Sequence, residues 1–312
     1  MTLSTEAAPR EAATSRPPWL GPFLCFLGVT AFSVTLPATR LAVRHLNPWF
    51  VSMGRAVIAA ALAAIVLAVT RLPRPTRAEA RQLLGVAFGV VFGFPAFSTL
   101  AVRHMPASHA AITNGLLPLA TVGLAMAVTG ERPSRRWWTA TLVGVAALII
   151  FAVHSGGTKI SVGHPLMVVA VLLGAIGYVC GGVLSRTRPG WWVISWGLLF
   201  ALPVTATVAL LHFPDKLDAP ASEWAGFAYV SVVSMFLGFF AWYGGLALAG
   251  ISRGSQIQLI QPVESFVWAA ILLGERLGPA ELLAGTAVIA ALAVGRSRPT
   301  SSRPGRISPA RV

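Results

Sequence analysis

The chain has 312 residues, 55% of them hydrophobic and 11% charged, with a mean hydropathy of +0.73. No soluble globular class has that composition, so the sequence is read as an integral membrane protein. Its formal charge of +14, from 24 Lys and Arg against 10 Asp and Glu, lies in loops and at the ends, which marks orientation and headgroup contact and leaves nucleic-acid binding unexpected.

A helix needs on the order of 20 apolar residues to cross a bilayer, because every backbone amide must be satisfied inside its own segment. After a polar leader, 1–18, read as cytoplasmic, disordered and not a cleaved signal, ten stretches meet that requirement. The first five are placed at 19–38, 48–70, 82–102, 108–129 and 137–154. The second five follow at 164–185, 191–211, 223–248, 254–274 and 278–295, before a basic disordered tail, 296–312. Pro and Gly punctuate the short connections, as at Asn47-Pro48, Pro73 and Pro75, Pro189-Gly190 and Gly278-Pro279. Cytoplasmic loops retain Lys and Arg. With the N-terminus inside, 17 fall on the inner side and six on the outer, so both termini are expected in the cytoplasm and the chain in the plasma membrane.

The fourth span reads Asn114-Gly115-Leu116-Leu117-Pro118 and then Gly130-Glu131-Arg132. The ninth reads Gln258-Leu259-Ile260-Gln261-Pro262 and then Gly274-Glu275-Arg276. Proline precedes glutamate by thirteen residues in both, and a constant offset of 144 also pairs Ser108 with Ser252, Asn114 with Gln258 and Thr121 with Ser265. The chain therefore divides into repeats at 19–154 and 164–295. Five spans per repeat is an odd number, so equivalent helices should cross in opposite directions. The expected fold is all-α and integral to the membrane, ten transmembrane helices as two inverted five-helix repeats. In transporters of that architecture the substrate site lies near the bilayer midplane between the halves.

These residues resemble the EamA family of the drug/metabolite transporter superfamily: two five-helix halves, each with a proline and then Gly-Glu-Arg closing its fourth helix. Arg55, placed after Asn47-Pro48-Trp49-Phe50, is similar to an arginine that family tends to carry in its second span. The resemblance covers about residues 19–295 and implies export or exchange of small metabolites across the plasma membrane.

Candidate site residues lie chiefly on the ninth span. At 100° per residue Gln258, Gln261, Glu264, Ser265 and Trp268 fall within an arc of about 120°, a polar stripe unsuited to lipid. Glu264 sits near the middle of the span, where an ionisable group is costly and is normally paired or faces water, and it is the candidate for proton coupling. The same stripe could instead be an interhelical hydrogen-bond network. Gln256 is expected on the opposite side of this helix. The fourth span carries a weaker copy in Asn114 and Thr121. Pro118 and Pro262 each remove a backbone hydrogen bond, giving either a gating kink or a packing bend. Arg55, about 10 Å into its span, either snorkels to headgroups, pairs with Glu264, or contacts an anionic group of the cargo.

Gly85, Gly89 and Gly93, and likewise Gly177 and Gly181, read as close-packing stripes. Tyr178, Trp196, Trp242 and Tyr243 are compatible with a cavity or with interface anchoring. Cys25 and Cys180 lie in apolar runs and form no zinc or disulfide framework. His45, His104, His109, His154, His164 and His212 cluster at outer ends in no metal-binding spacing, so neither metal nor cofactor is expected. With no phosphate loop and no soluble segment large enough for an ATPase, energy should come from a gradient or from exchange. The expected partners are a small-molecule substrate and membrane lipids, and nothing in the chain specifies an oligomeric state. The leading reading is a secondary transporter, an exporter working by alternating access and not an enzyme. The alternative from another class is a membrane-embedded enzyme or a non-transporting scaffold.

Overall fold

The computed structural model describes residues 17–154 and 161–275, together with isolated positions beyond Glu275. Among the described residues there is no strand, and eight helical units are long and apolar enough to cross a membrane. These run Leu20–Ala42, Pro48–Thr70, Arg77–His104, Ala107–Thr129, Gly163–Leu184, Gly190–Leu211, Ala221–Ala249 and Ile251–Leu273. A further 20-residue helix, Arg135–His154, occupies the place of the fifth expected span. The tenth, expected at 278–295, lies almost wholly outside the described residues, as do the leader and the tail.

Several spans are composite. The first is α1 (Leu20–Ser33) and α2 (Thr35–Ala42), the second α3 (Pro48–Thr70). The third is α4 (Arg77–Val86), a π-helical stretch Ala87–Gly93, and α5 (Phe94–His104). The fourth is α6 (Ala107–Asn114) and α7 (Leu117–Thr129), and the fifth α8 (Arg135–His154). In the second half come α9 (Gly163–Leu184), α10 (Gly190–Leu211), then α11 (Ala221–Tyr229), a π-helical stretch Val230–Leu237 and α12 (Gly238–Ala249). The ninth span is α13 (Ile251–Ile257), a 3-10 turn Gln258–Ile260 and α14 (Gln261–Leu273).

Local chemistry sets these ends. Asn47 accepts from the Trp49 amide at 2.8 Å with Pro48 at the first helical position, an N-cap that starts α3. Thr76 and Glu79 close a capping box at the start of α4. Gly130 and Gly274 end α7 and α14 in the left-handed region, both at φ +69°, which a residue with a Cβ adopts only under strain.

The 144-residue offset carries into the backbone. α6 begins at 107 and α13 at 251; α7 spans 117–129 and α14 spans 261–273. Packing follows the same symmetry: α6 lies on α14 and α7 on α13, so the fourth and ninth spans run antiparallel. The first span packs on the eighth, the third on the sixth, and the second on the seventh. The antiparallel pair is joined reciprocally at both ends. Glu131 Oε2 accepts from the Ser252 amide at 3.0 Å and from its hydroxyl at 2.6 Å. Glu275 accepts from the Ala107 and Ser108 amides at 3.0 and 3.2 Å. Each Gly-Glu-Arg turn thus places its carboxylate on the helix start of the other half, where unpaired amides favour negative charge. Arg186 adds an ion pair to Glu131.

Small residues allow the close crossings, as they must where lipid supplies no hydrophobic drive between helices. A Cβ built on Gly89 would lie 2.5 Å from the Gly177 nitrogen, and one on Gly245 would lie 2.6 Å from the Cys25 nitrogen. Gly85, Gly89, Gly93 and Gly177 therefore make the third-to-sixth contact, Gly181 instead lies against the Tyr243 ring of the eighth span, and Gly21, Gly28 and Gly245 lie at the first-to-eighth contact.

Candidate functional site

The ninth-span stripe faces the break in the first span. Pro37 has no amide to give the Ser33 carbonyl one turn earlier, and the chain bends between α1 and α2. The carbonyls around that bend are met by side chains from the second half. Ser265 Oγ donates to Ser33 O at 2.7 Å, Gln261 Nε2 to Phe32 O at 3.4 Å, and Tyr229 Oη to Ala31 O at 3.0 Å. Gln258 Nε2 donates to Gln261 Oε1 at 3.4 Å. Thr30 Oγ1 donates to Glu264 Oε1 at 3.0 Å, and Glu264 Oε2 is buried without a partner. The stripe is thus in large part an interhelical network. A buried carbonyl that loses its helical partner must be satisfied elsewhere, and these contacts do so.

Beside that network, between the halves, is a cavity. It is lined from the first half by Phe32, Thr35, Arg55, Val90 and Phe94, and from the second by Tyr178, Ser234, Met235, Phe239 and Gln261. Val90 comes from the first π-helical stretch, and Ser234 and Met235 from the second. The wide turns therefore face the cavity, as π-bulges often do at functional sites. Thr35 and Ser234 hydroxyls meet at 2.7 Å across the two halves.

Arg55 is only 1% exposed and points into the cavity, so it does not snorkel. Its Nε and Nη1 have no hydrogen-bond partner. The expected pairing of Arg55 with Glu264 is not made, since Glu264 Oε1 is held by Thr30 and its Oε2 has no partner. Glu264 is not among the residues lining the cavity.

The remaining expected site residues are dispersed. Asn114 and Thr121 are buried, with Oδ1 and Oγ1 unpartnered, but do not line the cavity. Both proline-bearing spans are interrupted one turn before the proline, at Gly115–Leu116 ahead of Pro118 and at 258–260 ahead of Pro262. Trp268 packs instead on a separate cluster with Val34, Ala38 and Phe227. Gln256, expected on the opposite side of this helix from the stripe, is buried as well, at 8% exposure.

Sequence reasoning did not single out Phe32, Thr35, Val90, Phe94, Ser234, Met235 and Phe239. Pro37 was the available signal for the first-span bend. Tyr178, Trp242 and Tyr243 sit in the interior, where Phe32 stacks on Tyr178 and meets Trp242 edge-on, Phe239 meets Tyr178 edge-on and Tyr243 at a tilt, and Tyr243 Oη donates to Gly177 O at 3.0 Å. No cluster of metal-ligating side chains occurs among the described residues.

Comparison with known proteins decides the family. The profile of the EamA-like transporter family matches twice, over residues 19–153 and 161–295, the two repeats found in the chain. The chain belongs to the EamA-like transporter family. It is 39% identical over 274 residues to the "Uncharacterized transporter YdeK" of Bacillus subtilis, covering 87% of this chain and 95% of that one. It is 26% identical over 294 residues to the "Probable terminal-alkyne amino-acid exporter" of Streptantibioticus cattleyicolor, covering 90% and 96%. A "Probable amino-acid metabolite efflux pump" of Salmonella typhimurium is 23% identical over 285 residues, covering 86% and 92%. One solved crystal structure, at 17% identity, superposes with a TM-score of 0.68 over 88% of this chain and 98% of that one, a likeness of fold. The chain is accordingly a multi-pass membrane transporter.

Proposed function

We propose that this EamA-like chain is a secondary active exporter of small metabolites, working by alternating access at the cavity between its two halves. The observation that supports this most is the composition of that cavity, whose wall is drawn from both repeats. Rocking of one half against the other would expose it to each side in turn. Two relatives named for export of amino acids or their metabolites favour a cargo of that size and an outward direction. The bias of 17 inner against six outer basic residues favours a plasma-membrane placement with both termini cytoplasmic.

In this reading Gln261 and Arg55 contact cargo directly, while Gln258 and Ser265 hold the ninth span against the first-span bend. Glu264, with one oxygen held by Thr30 and the other unpartnered, is the proton-coupling group. The interruptions before Pro118 and Pro262 are where the paired spans flex. The test is flux in sealed proteoliposomes with amino acids and related acids as solutes. Accumulation that collapses when the proton gradient is dissipated supports the reading; sealed vesicles that turn over a lipid and move no solute contradict it.

A further inference from the structure

Among the described residues the cavity wall carries one full charge, that of Arg55, and no acidic side chain. Arg55 cannot leave for the surface, its Nε and Nη1 lack partners, and no lining residue is acidic. A guanidinium taken out of water is strongly disfavoured unless an anion meets it, and its planar fork suits a carboxylate. The other polar groups on the wall, Thr35, Ser234, Tyr178 and Gln261, are neutral. One cation with neutral neighbours matches a single negative charge. The rest of the wall, Phe32, Leu36, Val90, Phe94, Met235 and Phe239, is apolar and largely aromatic. The space enclosed is about 30 Å³, so an apolar body enters only as the halves part, and the wall carries no carboxylate for an ammonium group.

We propose that Arg55 is the anion subsite of the cavity, that the cargo it selects is a small monocarboxylate with an apolar or aromatic body, and that an α-ammonium group is not required. This rests on the transport reading for the word cargo; the binding site itself does not. Toward the end of the membrane from which Arg55 enters, a second hollow is lined by Arg40, Arg44 and Arg103, again with no acid in its lining. The side chains lining that hollow would attract an anion.

The probes are 3-phenylpropionate, its neutral amide 3-phenylpropionamide and the cation 3-phenylpropylamine, titrated calorimetrically into the purified full-length chain in nanodiscs. A charge-assisted pair is worth about 1.5–3 kcal/mol, so the acid should bind about tenfold or more tighter than the amide, and the amine weakest. In Arg55→Gln, acid and amide should bind alike, and retained amide binding would show that the fold survives. Arg55→Lys should keep part of the preference, since the charge stays and the fork is lost. Equal affinity of the unaltered protein for acid and amide, tighter binding of the amine, absence of acid binding, or an acid preference that persists in Arg55→Gln would overturn the proposal. The unaltered protein decides the matter alone if a variant fails to fold. Flux of the same acid in proteoliposomes separates the two readings: Arg55-dependent binding without flux keeps the anion subsite and removes transport, whereas flux of solutes with no acid preference does the reverse.

Discussion

Among the described residues Glu264 is an acidic and Arg55 a basic side chain set deep in its span, and they do different work because they meet different neighbours. Glu264 is held by Thr30 from the first span, at the bend where the two halves touch, so movement of the halves must change its surroundings. A carboxyl whose surroundings change with conformation binds protons unequally in the two states, and that inequality links a proton gradient to the motion. Glu264→Gln keeps shape and hydrogen bonding but cannot ionise. It should retain solute–solute exchange and lose pH-driven accumulation, measured in the same vesicles. Wild-type accumulation by the variant would make the residue structural. Ser265 is the simpler case. Removing its hydroxyl leaves the Ser33 carbonyl buried without the donor that Pro37 made necessary, so Ser265→Ala should cost about 1–3 kcal/mol, read as a lowered melting temperature. The sequence puts Glu264 and Ser265 on one polar face, because helical periodicity is a property of neighbouring positions. It could not say that this face meets backbone carbonyls, since that depends on a proline over 200 residues away.

At the scale of elements, glycine controls how closely spans cross. At Gly89 an added methyl would press on backbone atoms of α9 that have no rotamer to escape into, whereas around Gly123 nothing lies within 4 Å. Gly89→Ala should therefore lower the melting temperature, by the equivalent of about 1–3 kcal/mol or more. Gly123→Ala should be neutral or slightly stabilising through helix propensity. Equal effects at the two positions would contradict the packing assignment. The small-residue spacing marked the third and sixth spans for close packing in advance, without saying that they pack on each other. The two π-helical stretches were not legible. Pro95 stands just after the first and removes a backbone bond there, but no proline accompanies the second, Val230–Leu237, and local propensity carries no signal for its wider turn. Because Val90, Ser234 and Met235 face the cavity from these stretches, much of the cavity wall was hidden as well.

For the whole molecule, the repeat was the most legible feature, because a shared Pro-to-Gly-Glu-Arg spacing is preserved whatever the intervening apolar residues. The reciprocal caps show what the glutamates in that motif do: Glu131 and Glu275 each bind the start of the other half's broken helix. Loss of a cap typically costs about 0.5–2 kcal/mol, so Glu275→Ala should destabilise by that order, and Glu131→Ala by at least as much since Ser252 and Arg186 both lose their partner. Orientation is tested separately, with cysteines introduced as Lys159→Cys and Gly305→Cys. Membrane-impermeant thiol reagents should label them from opposite sides, and labelling of both from outside would contradict the proposed placement of the termini.

The central claim is that one cavity between the halves serves both sides of the membrane, and Gln261 is the ninth-span residue on its wall. The most direct measurement is modification of Gln261→Cys, with Cys25 and Cys180 replaced, in sealed vesicles of known orientation. The account predicts that an impermeant thiol reagent reacts from either face, that reaction stops flux, and that a bound solute slows it. Reaction from one face only, with flux unchanged after complete modification, would contradict it.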